Sequence, residues 1–178
     1  MKILESFKSN ANGPTGSTQL ASFKNLDEQL RFLRRVVTKY RMTPVIRDLA
    51  VQILQEGNIA SRDKRNQSLA IGAWVQEHVY YVHELPERFQ YPDVTLRTRA
   101  GDCDDFSTLI AALLESIGIP SMLVAMKFDG QYRHIFAAAR LDDGLLPLDA
   151  TNRYSGVYGT NPIASTTGIG KQVRIKLA

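Results

Sequence analysis

The sequence predicts an α+β fold in which helices come first and an antiparallel sheet follows. Three observations carry that prediction. Between residues 26 and 117 apolar side chains recur at spacings of three and four. From Ser121 to Asp149 the spacing changes to two. The two-spaced runs are separated by Asp129-Gly130 and Asp142-Asp143-Gly144, short acidic turns ending in glycine of the kind that join antiparallel neighbours. A chain of 178 residues with 44% apolar and 22% charged side chains is one ordinary globular domain whose core needs no staple. Residues 1–25 are expected to be a flexible arm and 26–178 a single domain.

Taken in order, residues 9–22 (SNANGPTGSTQLAS) are polar and rich in Gly, Ser and Thr, hence arm or loop. Leu26, Leu30, Leu33 and Val37, widened by Phe32 and Val36, predict an amphipathic helix over 26–40. Pro44 suits a first helical turn, and Ile46, Leu49, Ala50, Ile53 and Leu54 continue a second helix to Gly57. A third runs from Asn66 to about Tyr80, with Leu69, Ala70, Ala73 and Trp74 turned inward. Residues 84–100 contain Pro86 and Pro92 and read as a loop, which either walls a substrate cleft or packs its aromatics Phe89 and Tyr91 across the helices. A fourth helix starts at Cys103 and is closed by Gly118 and Pro120. Strands follow over 121–128, 131–141 and 145–149, then an extended tail over 152–169 and an edge strand over 171–177.

The single cysteine excludes an internal disulfide. The opening MKILESFKSNANG is too polar for a signal-peptide core, and no stretch reaches the length of a membrane span, so a cytoplasmic protein without a membrane partner is expected. Charge is uneven: residues 1–65 hold 12 Lys/Arg against 6 Asp/Glu, residues 66–178 hold 10 against 12. The basic excess lies on the first helices, at Arg31, Arg34, Arg35, Lys39 and Arg41. Aromatic interleaving and base-reading motifs are missing, so a solvated helix face is expected there rather than a nucleic-acid site. His78 and His83 are five apart across a helix end, with no His-x-x-x-His or Cys/His ladder, and no metal is assigned to them.

The chemistry concentrates in RAGDCDDFSTLIAALLESIGIP, residues 99–120. Cys103 stands at the start of an apolar helix, where unpaired backbone N–H groups favour a thiolate. Asp102, Asp104 and Asp105 work against that thiolate by charge repulsion. His134 interrupts the strand YRHIFAAARL, 31 residues after Cys103, and Asp149 ends the strand LLPLD 15 residues later. Adjacent antiparallel strands can set His134 beside Asp149, and the helix start can offer Cys103 to the other side of the imidazole. A sulfur nucleophile, an imidazole acid–base and an orienting carboxylate are the groups that acyl transfer requires.

Residues 97–120, with their Gly-x-Cys-x-Asp segment and closing Leu-x-x-x-Gly-Ile-Pro phrase, resemble the core signature of the transglutaminase-like superfamily of papain-like folds. WVQEHVYYV upstream and RHIFAAARLDDGLLPLDAT downstream are similar to its helix end, its His strand and its Asp strand end, so the resemblance spans about 66–151. It implies a nucleophile helix packed on an antiparallel sheet, with Cys103 as nucleophile, His134 as general base and acid, and Asp149 as the orienting carboxylate, and no cofactor. Many relatives carry Trp two positions after the His; this chain has Phe136. A second oxyanion donor besides the Cys103 N–H is sought between Tyr80 and His83 or in the loop to Arg99.

The resemblance is closest to small bacterial or phage-type domains, and it implies a cysteine hydrolase that cleaves a peptide or isopeptide-like amide through an acyl-enzyme. Two alternatives stand beside it. One is a protein-glutamine transamidase. The other is a catalytically silent module of a larger, phage-related assembly, meeting protein partners through the basic first helices or the C-terminal strand.

Overall fold

A computed structural model describes residues 19–20, 23–82, 88–128, 131–151 and 173–176 of the chain. Residues 1–18 and 21–22 of the arm expected over 1–25, the Asp129-Gly130 turn, the tail over 152–169 and His83 lie outside the described residues.

Helix α1 (Leu26–Tyr40) is started by Asn25, whose side chain accepts the Glu28 N–H at 3.0 Å, and it buries Leu30, Leu33, Val36, Val37 and Tyr40. Helix α2 (Pro44–Glu56) carries Pro44 at its first position and buries Ile46, Leu49, Ala50 and Ile53. Helix α3 (Lys64–His78) begins two residues earlier than its apolar pattern suggests, because Asp63 accepts the Asn66 N–H at 3.0 Å and caps it. Val79 is already extended, and the chain enters a short strand, β2 (Tyr80–Tyr81).

The segment read as a loop over 84–100 is corrected by the structure. It contains a short strand β3 (Arg88–Phe89), a seven-residue helix α4 (Pro92–Thr98) and a further strand β4 (Ala100–Gly101). Pro92 marks the first turn of that helix instead of breaking one. The described part of this segment packs rather than walls a cleft: Phe89 meets the Phe32 ring edge-on at 5.0 Å, Tyr91 stacks on Tyr40 at 5.7 Å, and Tyr40 donates to Asp93 at 2.6 Å. Within the presumed arm, β1 (Gln19–Leu20) pairs antiparallel with β3.

Helix α5 (Cys103–Ser116) is the centre of the molecule, touched by α1, α2, α3 and α4 and by the sheet strands β5 (Ser121–Phe128) and β6 (Gln131–Leu141). Its periodicity reads as one apolar stripe, yet it is buried all round. Ser107, Thr108, Ala111 and Ala112 fill the remaining sides because they are small enough for neighbouring backbones to approach. Strand β7 (Gly144–Leu148) and strand β8 (Val173–Lys176) complete an antiparallel sheet of order β7-β6-β5-β8. The C-terminal strand is thus an edge, as its alternation suggests. Leu123, Ala125, Ile135, Ala137 and Ala139 join the helical core, while Val124, Met126, Phe136 and Ala138 form a separate cluster on the other face. The fold is α+β, helices packed against an antiparallel sheet.

The basic face of α1 is partly used inside the molecule. Arg41 pairs with the nearly buried Glu115 at 3.0 Å, and the Lys39 ammonium lies over the Tyr40 and Tyr91 rings at 5.7 and 5.9 Å. His78 stacks on Trp74 at 4.4 Å and bonds the Trp74 carbonyl through Nδ1 at 2.9 Å, a helix-end packing role.

Candidate active site

Two short parallel strands set the approach to Cys103. Tyr80 donates its N–H to the Arg99 carbonyl at 2.8 Å, and Val82 donates to the Gly101 carbonyl at 2.9 Å. Arg99 adopts the left-handed conformation at φ 54°, which ends α4 and turns the chain into β4. Periodicity cannot reveal strands of two residues, and these escaped the sequence reading.

The three acids around Cys103 have separate tasks. Asp102 is the helix cap and accepts the Asp104 N–H at 3.1 Å. Asp105, wholly buried, accepts the Gln90 N–H at 2.7 Å and, reaching back, the Asp102 N–H at 3.2 Å, which completes a capping box. A Cβ on Gly101 would stand 2.8 Å from the Asp105 side chain, so glycine is required for the carboxylate to lie against the backbone. The Gly-x-Cys-x-Asp spacing therefore encodes this close approach. Asp104 accepts from Gln29 of α1 at 3.2 Å, while among the described residues no donor reaches its other, buried oxygen. Burial, then the hydrogen bond and charge of Asp102 and the charge of Asp105, push the Asp104 carboxyl well above the usual range. The three carboxylates lie close enough to converge on a cation, but those of Asp102 and Asp105 are already engaged by backbone donors.

Cys103 is half-buried. Burial, followed by the Asp102 and Asp104 charges, pushes its thiol up; the Ile135 N–H, which faces the sulfur, acts in the opposite direction, and Asp149 adds to the rise. The net direction is upward, opposite to that expected of a helix start. His134 and Asp149 are brought together as their strands predict: His134 Nε2 lies 2.6 Å from Asp149 Oδ2. The register explains it. Leu148 pairs with Ala137, so Asp149, the next residue, falls across from Phe136 on the face that also carries His134. Asp149 Oδ1 accepts the Thr151 N–H at 3.1 Å and its hydroxyl at 2.6 Å. Burial raises the Asp149 carboxyl, but the His134 bond and charge and the two Thr151 bonds outweigh it, leaving it below the usual carboxylate range. Among the described residues no hydrogen bond joins the Cys103 sulfur to the His134 ring; the sulfur meets the next residue along β6. With Nε2 engaged by Asp149, Nδ1 is the ring nitrogen left to serve a nucleophile.

The profile of the transglutaminase-like superfamily matches residues 47–150, from α2 through the Asp149 strand end. The chain belongs to the transglutaminase-like superfamily. No curated protein sequence matches it. Solved structures similar to it include a candidate cysteine protease from Cytophaga hutchinsonii, 20% identical over 75% of this chain and 46% of that one, with a TM-score of 0.48. A candidate protease from Parabacteroides distasonis is 13% identical over 65% of this chain and 25% of that one, at 0.49. A structure described as a TGase is 13% identical over 93% of this chain and 41% of that one, at 0.45. The chain spans a quarter to just under half the length of these structures.

Tyr81 lies in the stretch from Tyr80 to His83 in which a second oxyanion donor is sought, whereas Gln90 and Ser107 carry no functional signal in the sequence. Tyr81 packs its ring edge-on against Phe106 at 6.2 Å, and burial, then the charges of Cys103, Asp102, Asp149 and Asp104, push its phenol up to about 12. Its position after a helix end was the available signal.

Charge repulsion at Cys103 has a measurable consequence. Asp102→Asn keeps a capping oxygen but removes a negative charge beside the sulfur, which lowers the thiol pKa and enlarges the thiolate fraction near pH 7. Alkylation of Cys103 by iodoacetamide at pH 7 is expected to speed up by about three- to tenfold, the equivalent of half to one pKa unit. An unchanged or slower rate would remove Asp102 from the control of the thiol.

Proposed function

We propose that this protein is a cysteine-dependent acyl-transfer enzyme that hydrolyses a peptide or isopeptide-like amide, with Cys103 as nucleophile, His134 as general base and acid, and Asp149 as the carboxylate that orients the imidazole. The observation that carries this reading is the 2.6 Å contact of His134 Nε2 with Asp149, on strands whose next backbone N–H meets the Cys103 sulfur. In the reaction His134 Nδ1 takes the thiol proton as sulfur attacks the amide carbonyl. The oxyanion is held by the Cys103 N–H, which as the first N–H of α5 has no intrahelical acceptor, and by the Tyr81 phenol. The imidazolium then protonates the leaving amine, the C–N bond breaks, and a thioester remains. Water attacks the thioester with His134 again as base, releasing the acid and restoring the thiol. The raised thiol pKa suits a proton transferred during attack, and catalytic hydrogen bonds that are long in a resting site tighten when substrate binds. The reading keeps the expectation of a small bacterial or phage-type hydrolase.

Transamidation, in which an amine replaces water, shares the first half of this sequence. A silent binding module is favoured by one observation, the burial and like charge that hold Cys103 as a thiol. One experiment separates the three. The wild type and Cys103→Ala are incubated with a peptide library and a panel of primary amines, and mass changes are followed. Cys103-dependent water addition is expected. Amine incorporation would move the assignment to transamidation, and no Cys103-dependent change in any substrate would leave the silent module.

A further inference from the structure

The geometry points to Ser107 as a positioning residue that fixes the distance between Cys103 and His134 by tying β6 to the first turn of α5. This rests on the reading of Cys103 as a nucleophile. Ser107 is buried, one turn along α5 from Cys103. Its single hydroxyl proton is shared between two carbonyls: that of Cys103, four residues back, and that of Ile135 on β6 at 2.9 Å. Bonding the carbonyl four residues back is routine in this protein, since Thr108 does it to Asp104 and Ser68 to Lys64, each at 2.7 Å. The second acceptor on another element sets Ser107 apart.

The need for that acceptor follows from the sheet. Arg140 donates its N–H to the Pro120 carbonyl at 2.8 Å, so the even-numbered residues of this part of β6 direct their main-chain groups toward β5. Ile135, being odd, directs its N–H and carbonyl toward β7. But β7 ends at Leu148, opposite Ala137, two residues short of Ile135. At the place where the ladder stops, the N-terminal turn of α5 takes over: the Ile135 N–H meets the Cys103 sulfur and its carbonyl takes the Ser107 hydroxyl. The main-chain N–H and carbonyl of one residue, Ile135, thereby both face one helical turn. His134 precedes that residue and Cys103 stands on that turn. An alanine at 107 fits the space but leaves the Ile135 carbonyl without its donor, and the strand end is free to drift from the sulfur.

The test uses p-nitrophenyl acetate, an activated ester that acylates a reactive cysteine without knowledge of the natural substrate. Wild type, Cys103→Ala, Ser107→Ala and Ser107→Thr are compared in kcat, KM and pH profile, with thermal unfolding measured in parallel. Ser107→Ala is expected to lower kcat by about tenfold or more with KM changed less than about twofold, consistent with misplaced reacting groups. Ser107→Thr, which keeps the hydroxyl, is expected to recover most of that loss. A wild-type rate above that of Cys103→Ala with Ser107→Ala unchanged, or lowered only by its unfolded fraction, would overturn this inference alone. A Ser107→Thr protein that is folded yet as slow as Ser107→Ala would overturn it too. A wild-type rate no higher than that of Cys103→Ala would overturn the nucleophile reading and this inference together.

Discussion

Replacement of His134 by alanine is expected to lower the rate of Cys103 acylation by roughly a hundred- to ten-thousandfold, the range that a positioned general base contributes. The thiol is held in its protonated form by burial and by Asp102 and Asp104, so without the imidazole the attacking sulfur has no acceptor for its proton. The loss should be greatest near neutral pH and shrink as solution hydroxide takes over deprotonation at high pH. Single-turnover acylation by an activated ester, followed from pH 5 to 10, reads both effects. Asp149→Asn is expected to cost less, because the imidazole remains and only its tautomer and orientation suffer. The Asp149 carboxyl is depressed below its usual range by His134 and Thr151 despite burial, so its stabilising contribution is complete above the pKa of an unfolded aspartate and is lost as pH falls through the depressed folded value. Acylation activity that His134→Ala leaves within about threefold of wild type would contradict the assigned role.

The largest expected effect on stability belongs to Asp105, not to a member of the catalytic set. Asp105→Ala is expected to destabilise the fold by about 3–5 kcal/mol, because it leaves two buried N–H groups unpaired, one of them the reciprocal half of the capping box. Those groups are the N–H of Gln90 and the N–H of Asp102, held at 2.7 and 3.2 Å by a side chain with no solvent exposure. A loss of that size is a large share of the roughly 5–15 kcal/mol that keeps a domain folded. Urea unfolding measures it directly. A loss below about 1 kcal/mol would mean that water or a neighbouring acceptor replaces the carboxylate. The prediction also separates the motif's acids: Asp105 holds the turn together, whereas Asp102 and Asp104 set the field in which Cys103 works.

Much of this arrangement is legible from residues alone, for identifiable reasons. The first two helices, the Cys103 helix and the three hairpin strands each repeat one period over enough residues to outvote local exceptions, with Pro44 and Gly144 where chain geometry needs them, whereas α3 buries Ser68, Ile71, Gly72 and Val75 and leaves Ala73, expected inward, exposed. His134 and Asp149 are predictable as neighbours because a short turn between antiparallel strands leaves few registers. Helix α4 and the two-residue strands are not, since seven residues or fewer hold too little periodicity and Pro92 signals a helix start and a helix break equally well.

The amino-acid sequence by itself determined the fold class, the central helix beginning at Cys103, and the order in which a sulfur, an imidazole and a carboxylate arrive along the chain. Those features are properties of spacing, and spacing is written in the chain. The tertiary structure alone decided how they are held: Gly101 yielding to Asp105, Tyr81 placed in the field of Cys103, and Ser107 closing the end of the β6 ladder. It also decided the sign of the electrostatics, because burial and the charges of Asp102, Asp104 and Asp149 raise the Cys103 thiol. Each of these depends on which distant segments come within a few ångströms of one another, and local sequence does not carry that distance.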